Sequence, residues 1–283
     1  MSFELIQNTG GIMKEGKTFG KRYEKKYLVN GADLLKFIEV NQEKLRLKYD
    51  RDHFLKDSKH TIINNIYFDS NDLDSYQQSM LKTPNRSKLR LRTYAENGVS
   101  DDLCFFEIKS KDGDQTLKSR IVLKTAWIRD FITIKDYPVN ELLELNALKR
   151  KSVVFDTIDS IYKLIHEYNY RPVLQTHYKR WAFKLKENSS FRLTIDMDLE
   201  FTRLSETIAP PQEYTKTWEE GLYIVELKSK DQELLEKLPE VSEVFNKHTG
   251  FSKYCYGVYS TKDVALKSPV QKDMGINKMN LSV

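Results

Sequence analysis

The sequence predicts an α+β protein built on an antiparallel sheet or barrel, with helices in the connections between strands. Three observations support this fold class. Many segments alternate apolar and polar residues at a period of two, as half-buried strands do. Short turns join most of these segments, which suits antiparallel pairing. Helical patterns are confined to the longer connections, as in α+β domains.

In the first half of the chain, strands alternate with short helices. Residues 22–29 (RYEKKYLV) alternate as a strand, and residues 30–33 (NGAD) offer a cap for the helical spacing that follows. Residues 61–69 (TIINNIYFD) predict the next strand, and Ser70 opens a short helix that reaches residue 80. Further strands are predicted over residues 88–94, 103–111 and 115–123, with Asp112-Gly113 as the turn between the last two.

The second half begins with helical patterns and returns to strands. Residues 125–169 are helical by pattern, and strands are predicted over residues 173–185, 190–201 and 221–229. A helix interrupted at Pro239 is expected over residues 232–248, and a short one over residues 252–259. The predicted organisation is therefore a flexible N-terminal segment at residues 1–20, one domain at residues 21–260 and a C-terminal tail at residues 261–283.

Composition narrows the class of protein. The 283 residues include 46 Lys+Arg and 41 Asp+Glu, so 31% are charged but the net charge is only +5, and 12% are aromatic. Such a chain can bury a core, and its charge is too small to indicate a nucleic-acid partner. No stretch approaches the ~18 apolar residues of a transmembrane segment. Two cysteines and five scattered histidines predict neither a disulfide framework nor a zinc site, and the expected compartment is the cytoplasm. The oligomeric state is not predicted.

Residue parity, the alternation of odd and even positions along a strand, indicates which face of the sheet carries the charged residues. Because residues i and i+2 of a strand share a face, Arg90 and Arg92 lie on one face of their strand, and Leu89 and Leu91 lie on the other. One interpretation is a half-exposed sheet whose polar face meets water. The other turns the charged faces inward around a lumen and the apolar faces outward beneath the helices. Recurrence of Glu-x-Lys and Arg-x-Arg on nearly every strand favours the second interpretation.

The predicted lumen contains more cations than carboxylates. Its cations are Lys26, Arg90, Arg92, Lys109, Lys118, Arg120, Arg180, Arg192 and Lys228, and its carboxylates are Glu24, Glu107, Asp196, Asp198 and Glu226. Crowded cations repel one another in a dry interior unless an anion compensates them. The pattern therefore predicts a phosphate-rich ligand, and the carboxylates suit Mg²⁺ or Mn²⁺, which take oxygen ligands.

An ordered set of short motifs resembles a known family. The motifs are RYEKKYLV at 22–29, IYFDSNDLDSY at 66–76, KLRLRTY at 88–94, FFEIKSK at 105–111, YKRWAF at 178–183, RLTIDMDL at 192–199, IVELKSK at 224–230 and FSKYCYG at 251–257. In order and spacing they resemble the triphosphate tunnel metalloenzymes of the CYTH-like superfamily. They resemble more closely the VTC domain, the polyphosphate polymerase domain of the vacuolar transporter chaperone complex.

The resemblance implies a fold, a reaction and a set of site residues. The fold would be an antiparallel β-barrel, the triphosphate tunnel, with helices packed outside it. The reaction would transfer the ATP γ-phosphate to a growing inorganic polyphosphate chain, with Mn²⁺ or Mg²⁺ bound. Matched residue by residue, the catalytic set would be Lys26, Arg90, Arg92, Lys109, Arg180, Arg192 and Glu226. Phosphate contacts would come from Lys118, Arg120, Tyr178, Lys228, Ser252 and Lys253. Glu226 would be the principal metal ligand, and Glu24, Glu107, Asp196 and Asp198 are further candidates.

Departures from the family pattern leave other functions open. Arg22 stands where CYTH-type triphosphatases have the first Glu of E-x-E-x-K, which argues against simple hydrolysis. A triphosphatase acting on inorganic or nucleoside triphosphate and a non-catalytic polyphosphate-binding module remain the alternatives. Fungal VTC proteins also carry an SPX domain and membrane helices; the sequence shows neither, which predicts a stand-alone form. Residues 11–18 (GIMKEGKT) fit the letters of a P-loop, but the strand-like segment after them does not supply its helix.

Overall fold

Nine strands form one antiparallel sheet. The computed structural model describes residues 23–37, 39, 60–96, 99–113, 115–184, 191–204, 216–217, 220–230 and 250–261. The strands are β1 Tyr23–Asn30, β2 Thr61–Asp69, β3 Arg86–Glu96, β4 Val99–Asp112, β5 Gln115–Lys124, β6 Arg171–Lys184, β7 Arg192–Arg203, β8 Lys216–Thr217 and β9 Leu222–Ser229. Their order in the sheet is β1-β9-β7-β6-β2-β3-β4-β5, and β8 pairs with β7.

Helices occupy the longer connections and the C-terminal end of the described chain. They are α1 at residues 31–37, α2 Asp74–Met80, α3 Ile128–Thr133, α4 Val139–Leu145, α5 Lys151–Tyr162 and α6 Lys253–Thr261. A 3₁₀ turn, Thr125–Trp127, precedes α3, and α5 continues as a π-helical turn, Lys163–Glu167. The helix predicted over residues 232–248, the P-loop-like segment and Arg22 lie outside the described residues.

The apolar faces of β3, β4 and β5 lie beneath the α3–α5 layer. Leu89, Phe106 and Ile121 are fully buried and belong to one core cluster with Phe131 of α3 and Ile158 of α5. Complete burial of each such side chain contributes roughly 1.5–3 kcal/mol. These faces therefore point away from the face that carries Arg90, Glu107 and Arg120, as the residue parity predicted.

A second outward core covers the other end of the sheet. Val29 of β1, Leu193 of β7 and Val225 of β9 are buried together with Leu34 and Phe37 of α1. Asn30 fixes the start of α1, because its side-chain oxygen accepts a hydrogen bond from the Asp33 backbone N–H at 2.8 Å.

The sheet is curled, so strands far apart in its order face one another. In a flat sheet, β9, β7, β6, β2 and β3 would separate β1 from β4 by about 29 Å. At about 10 Å, salt already screens most exposed charges from one another. Yet Glu24 and Lys26 of β1 both act on the pKa of Lys109 in β4. The charged residues thus line a concave face, here called the charged face.

Among the described strands, the sheet does not close into the predicted barrel. In the residues that the structure describes, no main-chain pairing joins β1 to β5, so the hydrogen-bonded sheet is curled but open.

The prediction that the helices pack outside the barrel holds for α1 and for α3–α5, but it is wrong for α6, which packs on the charged face. Its Gly257 lies against Leu174 of β6 and Phe201 of β7, and a Cβ on Gly257 would be only 2.5 and 2.6 Å from carbons of those side chains. One end of the charged face is therefore apolar, since Leu174 and Phe201 lie there in a core with Tyr254 and Val258. Covering this patch favours an inward position for α6.

Candidate anion-binding site

Glu107 is the counter-ion of one cationic cluster. The strand register places it opposite both Arg90 of β3 and Arg120 of β5. Arg90 Nε donates to Glu107 Oε2 at 2.7 Å, and Lys118 pairs with the other carboxylate oxygen. The Glu107 side chain is 2% exposed. Burial alone would raise the pKa of Glu107, but Arg90 and Lys118 hold it at about 2. This carboxylate therefore stays ionised, and it neutralises part of the charge around it.

Asp196 is the counter-ion of a second cluster. Arg180 donates to both carboxylate oxygens, from Nε at 2.5 Å and from Nη2 at 2.7 Å, and Lys253 Nζ donates at 2.5 Å. The cations of Arg180 and Lys253 also lie 5.4 and 4.8 Å from the ring centroid of the buried Tyr178. Burial would raise the pKa of Asp196, yet Lys253 and Arg180 lower it. Three donors occupy most of the acceptor sites of this carboxylate, which favours an ion-pair role over metal ligation.

The same cations act on the pKa of Tyr178. Burial would raise the pKa of its phenol, but Arg180 and Arg92 lower it below the ordinary value. The ring thus lies beside the cations of the Asp196 cluster, and the charge of Arg92 on β3 also acts on its phenol.

Glu24 and Glu226 form a carboxylate pair between two ammonium groups. Lys26 Nζ lies 2.9 Å from Glu24 and 3.4 Å from Glu226. Lys228 Nζ lies 2.5 Å from Glu226 and 3.5 Å from Glu24. Burial would raise the pKa of Glu226, but Lys228 and Lys26 keep it well below its ordinary range. Burial would lower the pKa of Lys26, but both carboxylates hold it above the usual value.

This carboxylate pair is the donor set that best fits a divalent metal. Two carboxylates with adjoining phosphate oxygens are a common protein environment for Mg²⁺, which keeps several waters. The described part of the chain holds no group of three or more His, Cys, Asp or Glu that could bind a metal. Glu24 and Glu226 are therefore the residues that would hold the ion, with the remaining ligands coming from phosphate and water.

Arg92 is held by neutral partners. Its Nε donates to the buried Asn65 Oδ1 at 2.7 Å, and its Nη1 donates to the Tyr94 hydroxyl at 3.3 Å. Asn65 in turn donates to Thr176 Oγ1 at 2.9 Å. No carboxylate pairs with Arg92 among the described residues, so its charge is available to an anion. Asn65 was not predicted from the sequence, since an isolated Asn in a strand carries no signal of such a role.

Lys109 is an unpaired cation facing Glu24 and Glu226. It forms no ion pair or hydrogen bond with any residue described here, and it is exposed on the charged face. Because Lys109 lies within the concave face, protein surrounds its exposed side chain, and the partial loss of water lowers the pKa of Lys109 to about 8, an effect that Glu24 opposes and Lys26 reinforces. An ammonium without a counter-ion in this position is a natural phosphate contact.

We expect anion affinity to fall as pH rises through about 8, because Lys109 then loses its proton. The pKa of Lys109 in the unfolded chain is the ordinary 10.5, so between about pH 8 and pH 10.5 the unfolded chain holds a proton that the folded protein has lost. The free energy of unfolding therefore rises with pH in this window. Titration with inorganic tripolyphosphate from pH 7 to 9.5 measures the affinity. The matched variant Lys109→Arg keeps its charge and should show a flatter profile, with the ligand's own ionisation common to both. Identical profiles for the two proteins would contradict this role.

One predicted residue, Asp198, lies apart from the clusters, and another, Arg192, lies at the edge of one. Asp198 has a positive φ of 51° at an irregularity in the β6–β7 register, and its 60% exposed side chain pairs with Lys179 at 2.9 Å. The extra residue reverses the parity, so the prediction that Asp198 shares the face of Asp196 is wrong. Arg192, the first residue of β7, is exposed beside its cross-strand neighbour Lys228.

Arg120 and Ser252 have partial places in the site. Arg120 Nη1 lies 3.8 Å from Glu107, with its side chain 41% exposed and its cation 4.8 Å from the Phe105 ring centroid. Ser252 precedes α6, where its hydroxyl oxygen accepts from the Cys255 N–H at 3.4 Å and from Lys88 Nζ at 3.2 Å. Lys88 was missed, although it has the parity of Arg90 and Arg92.

Comparison with known proteins gives a family match over most of the chain. A family model described as the VTC domain matches residues 21–262. Vacuolar transporter chaperone complex subunit 4 of Schizosaccharomyces pombe is 28% identical over 153 residues, which cover 50% of this chain and 20% of that protein. Subunit 2 of the same complex from Saccharomyces cerevisiae is 28% identical over 154 residues, covering 50% and 18%. The matched segment is thus about a fifth of the length of these relatives.

A solved structure from Pyrococcus horikoshii OT3 covers 83% of this chain and 97% of its own at 14% identity, with a TM-score of 0.42, too low to assign a fold. No described helix is long and apolar enough to cross a membrane.

Proposed function

Because the chain belongs to the VTC domain family, we propose that it is an ATP-dependent polyphosphate polymerase. The observation that supports this proposal most is the surplus of positive charge on one concave face. Glu107, Asp196 and the Glu24–Glu226 pair neutralise part of that charge, whereas Arg92 and Lys109 have no carboxylate partner among the described residues. A chain of phosphates supplies negative charge at regular intervals along such a face.

The reaction that we propose moves one phosphoryl group. An oxygen of the terminal phosphate of the acceptor chain attacks the γ-phosphorus of ATP and forms a new P–O bond. The bond between that phosphorus and the β–γ bridging oxygen breaks, and ADP leaves with the electron pair. Phosphoryl transfer needs positioning and charge neutralisation more than covalent help from the protein.

The residues have separate tasks in this reaction. Arg90 and Arg92, adjacent on one face of β3, would neutralise the non-bridging oxygens of the transferred group. Arg180 is oriented by its two bonds to Asp196 and presents its remaining N–H groups to phosphate. Glu24 and Glu226 would hold Mn²⁺ or Mg²⁺, which supplies charge stabilisation at the phosphate oxygens when bound. We also propose that the curled sheet surrounds the polyphosphate product as a tunnel.

The assay is incubation of the purified chain with ATP and Mn²⁺ or Mg²⁺, followed by gel analysis for long polyphosphate and measurement of ADP and free phosphate. We expect polyphosphate and ADP to form together, and Arg90→Ala to abolish both. The control Lys124→Ala removes a solvent-exposed partner of Glu141 and should leave synthesis intact.

Other products would identify the alternatives. Free phosphate without polyphosphate would replace the proposal with a triphosphatase, which the carboxylate pair of Glu24 and Glu226 would also suit. Binding of polyphosphate with no ADP produced would indicate a non-catalytic module.

A further inference from the structure

One aromatic side chain lies among the cations of the charged face. Phe105 of β4 has the parity of Glu107, and the strand register places it directly opposite Arg92 of β3. Its neighbour Phe106 is fully buried in the core beneath α3–α5, whereas Phe105 is half-buried and belongs to none of the three cores described above. The ring therefore has no packing role that explains its place on a cationic surface, which makes it a candidate ligand contact.

A second ring and a guanidinium group surround Phe105. The Tyr94 ring centroid lies 5.4 Å from the Phe105 centroid, and the two planes meet edge-to-face at 77°. The guanidinium carbon of Arg120 lies 4.8 Å from the same Phe105 centroid. Aromatic rings and guanidinium planes are the groups on which proteins stack nucleobases. We call Tyr94, Phe105 and Arg120 the aromatic patch.

The aromatic patch continues the line of arginines on β3. Arg90, Arg92 and Tyr94 follow one another at two-residue intervals, which are about 7 Å in an extended strand. Arg92 joins the two regions directly, because its Nη1 donates to the Tyr94 hydroxyl at 3.3 Å while its charge has no carboxylate partner in the described part of the chain. A nucleotide with its phosphates at Arg90 and Arg92 would therefore have its base beside the aromatic patch.

We propose that the aromatic patch is the stacking subsite for the base of a nucleoside triphosphate, with Phe105 as its main contact. This inference rests on the proposed function, because the phosphates of the same nucleotide would contact Arg90 and Arg92. The Arg120 side chain is 41% exposed and lies 3.8 Å from Glu107, so it can rearrange to cover a bound base. Stacking on these groups gives the base affinity of its own, separate from that of the phosphates.

The test compares two ligands that differ in the base. The full chain is titrated calorimetrically with ATP and with inorganic tripolyphosphate, without divalent metal so that turnover is prevented. Phe105→Leu removes the ring but keeps an apolar side chain, and it should weaken ATP binding about 5- to 100-fold while tripolyphosphate binding stays unchanged. Phe105→Tyr keeps the ring and should bind both ligands as the unsubstituted protein does. Equal losses for both ligands in Phe105→Leu would assign the ring to positioning Arg120 and overturn the subsite.

Trp127→Leu is the matched control. Trp127 also has a cation near its ring, from Lys124 at 5.1 Å, but it packs against the core beneath α3–α5 and not on the charged face. Its replacement should leave the affinity for both ligands unchanged, and a selective loss of ATP binding in this variant would count against the aromatic patch.

Photolabelling of the unsubstituted chain tests the subsite without any substitution. Irradiation with 8-azido-ATP, followed by peptide mass spectrometry, should modify the segment that holds Tyr94 and Phe105. Competition by ATP, and much weaker competition by an equal concentration of ribose 5-phosphate, would show that the labelling follows nucleotide binding. Labelling confined to other segments would overturn the subsite even if Phe105→Leu fails to fold.

The outcomes also separate this inference from the proposed function. If Phe105→Leu keeps its full affinity for ATP while Arg90→Ala loses both ligands, the subsite is wrong and the polymerase proposal stands. If Phe105→Leu loses only ATP binding but the unsubstituted protein makes no polyphosphate, the subsite stands and the proposed activity fails. If the unsubstituted protein binds neither ligand, both fail.

Discussion

The variant Asp196→Asn is expected to lower the free energy of unfolding by about 3–5 kcal/mol. Asp196 is 1% exposed and is the only carboxylate partner of Arg180 and Lys253 in the described chain. Asparagine keeps the shape but leaves two cations without a counter-ion, and an unpaired buried charge carries a cost of that size. Urea unfolding of the purified variant measures the loss. Added tripolyphosphate should restore part of it, since the anion replaces the missing negative charge.

Asp198→Asn is the matched control for that prediction. The two positions lie in the same strand, and both variants exchange a carboxylate for an amide. Asp198 is 60% exposed and pairs with Lys179 in solvent, so its loss should cost less than about 1 kcal/mol. Asparagine also tolerates the positive φ at this position. Equal losses in the two variants would show that the Asp196 cluster is not a buried ion-pair network.

The second large effect is expected at Glu226. Under the proposed function, Glu226→Gln should reduce polyphosphate synthesis at least about 100-fold, the several kcal/mol that a bound metal supplies. The fold should persist, because Glu24 remains within 3.5 Å of both Lys26 and Lys228. Synthesis measured across a range of Mn²⁺ concentrations, with circular dichroism of each variant, provides the readout.

Glu200→Gln is the control for Glu226→Gln. Glu200 pairs with His177 at 3.0 Å, apart from the charged clusters, and its replacement should leave synthesis and the metal requirement unchanged. Full synthesis by a folded Glu226→Gln protein would remove Glu226 from the metal site. A shifted Mn²⁺ requirement in Glu24→Gln would support the second ligand.

Residue parity predicted the faces of most strands because it depends only on the two-residue period of extended backbone. It placed Arg90 and the apolar Leu89 on opposite faces of β3, and the structure agrees over the regular part of the β3–β4 pairing, from Arg86 to Thr93. Parity failed at Asp198, where one extra residue shifts the period. No sequence pattern marks that bulge. Lys88 could have been found by extending the same alternation one step toward the start of β3.

Tertiary features were beyond this kind of prediction. The short helix near residues 252–259 was expected, and α6 occupies Lys253–Thr261, but its position on the charged face depends on a patch formed by β6 and β7. Likewise, the proximity of Glu24 to Glu226 depends on the β1–β9 register, which sets Glu24 opposite Lys228 and Lys26 opposite Glu226 and joins strands from opposite ends of the chain. The roles of the individual site residues stay predictions until the variants are measured.

Gly257 determines how closely α6 packs against the charged face. Ordinary carbon contacts lie at about 3.5–4 Å, so a side chain there would force a shift of about 1 Å between α6 and the buried Leu174 and Phe201 side chains. Lys253 begins this helix and Ser252 precedes it, so a shift of α6 would move both away from Asp196 and Lys88. The missing side chain at Gly257 thus sets the distance between α6 and the sheet. A residue that touches no charged group sets how far the donors of α6 reach across the groove.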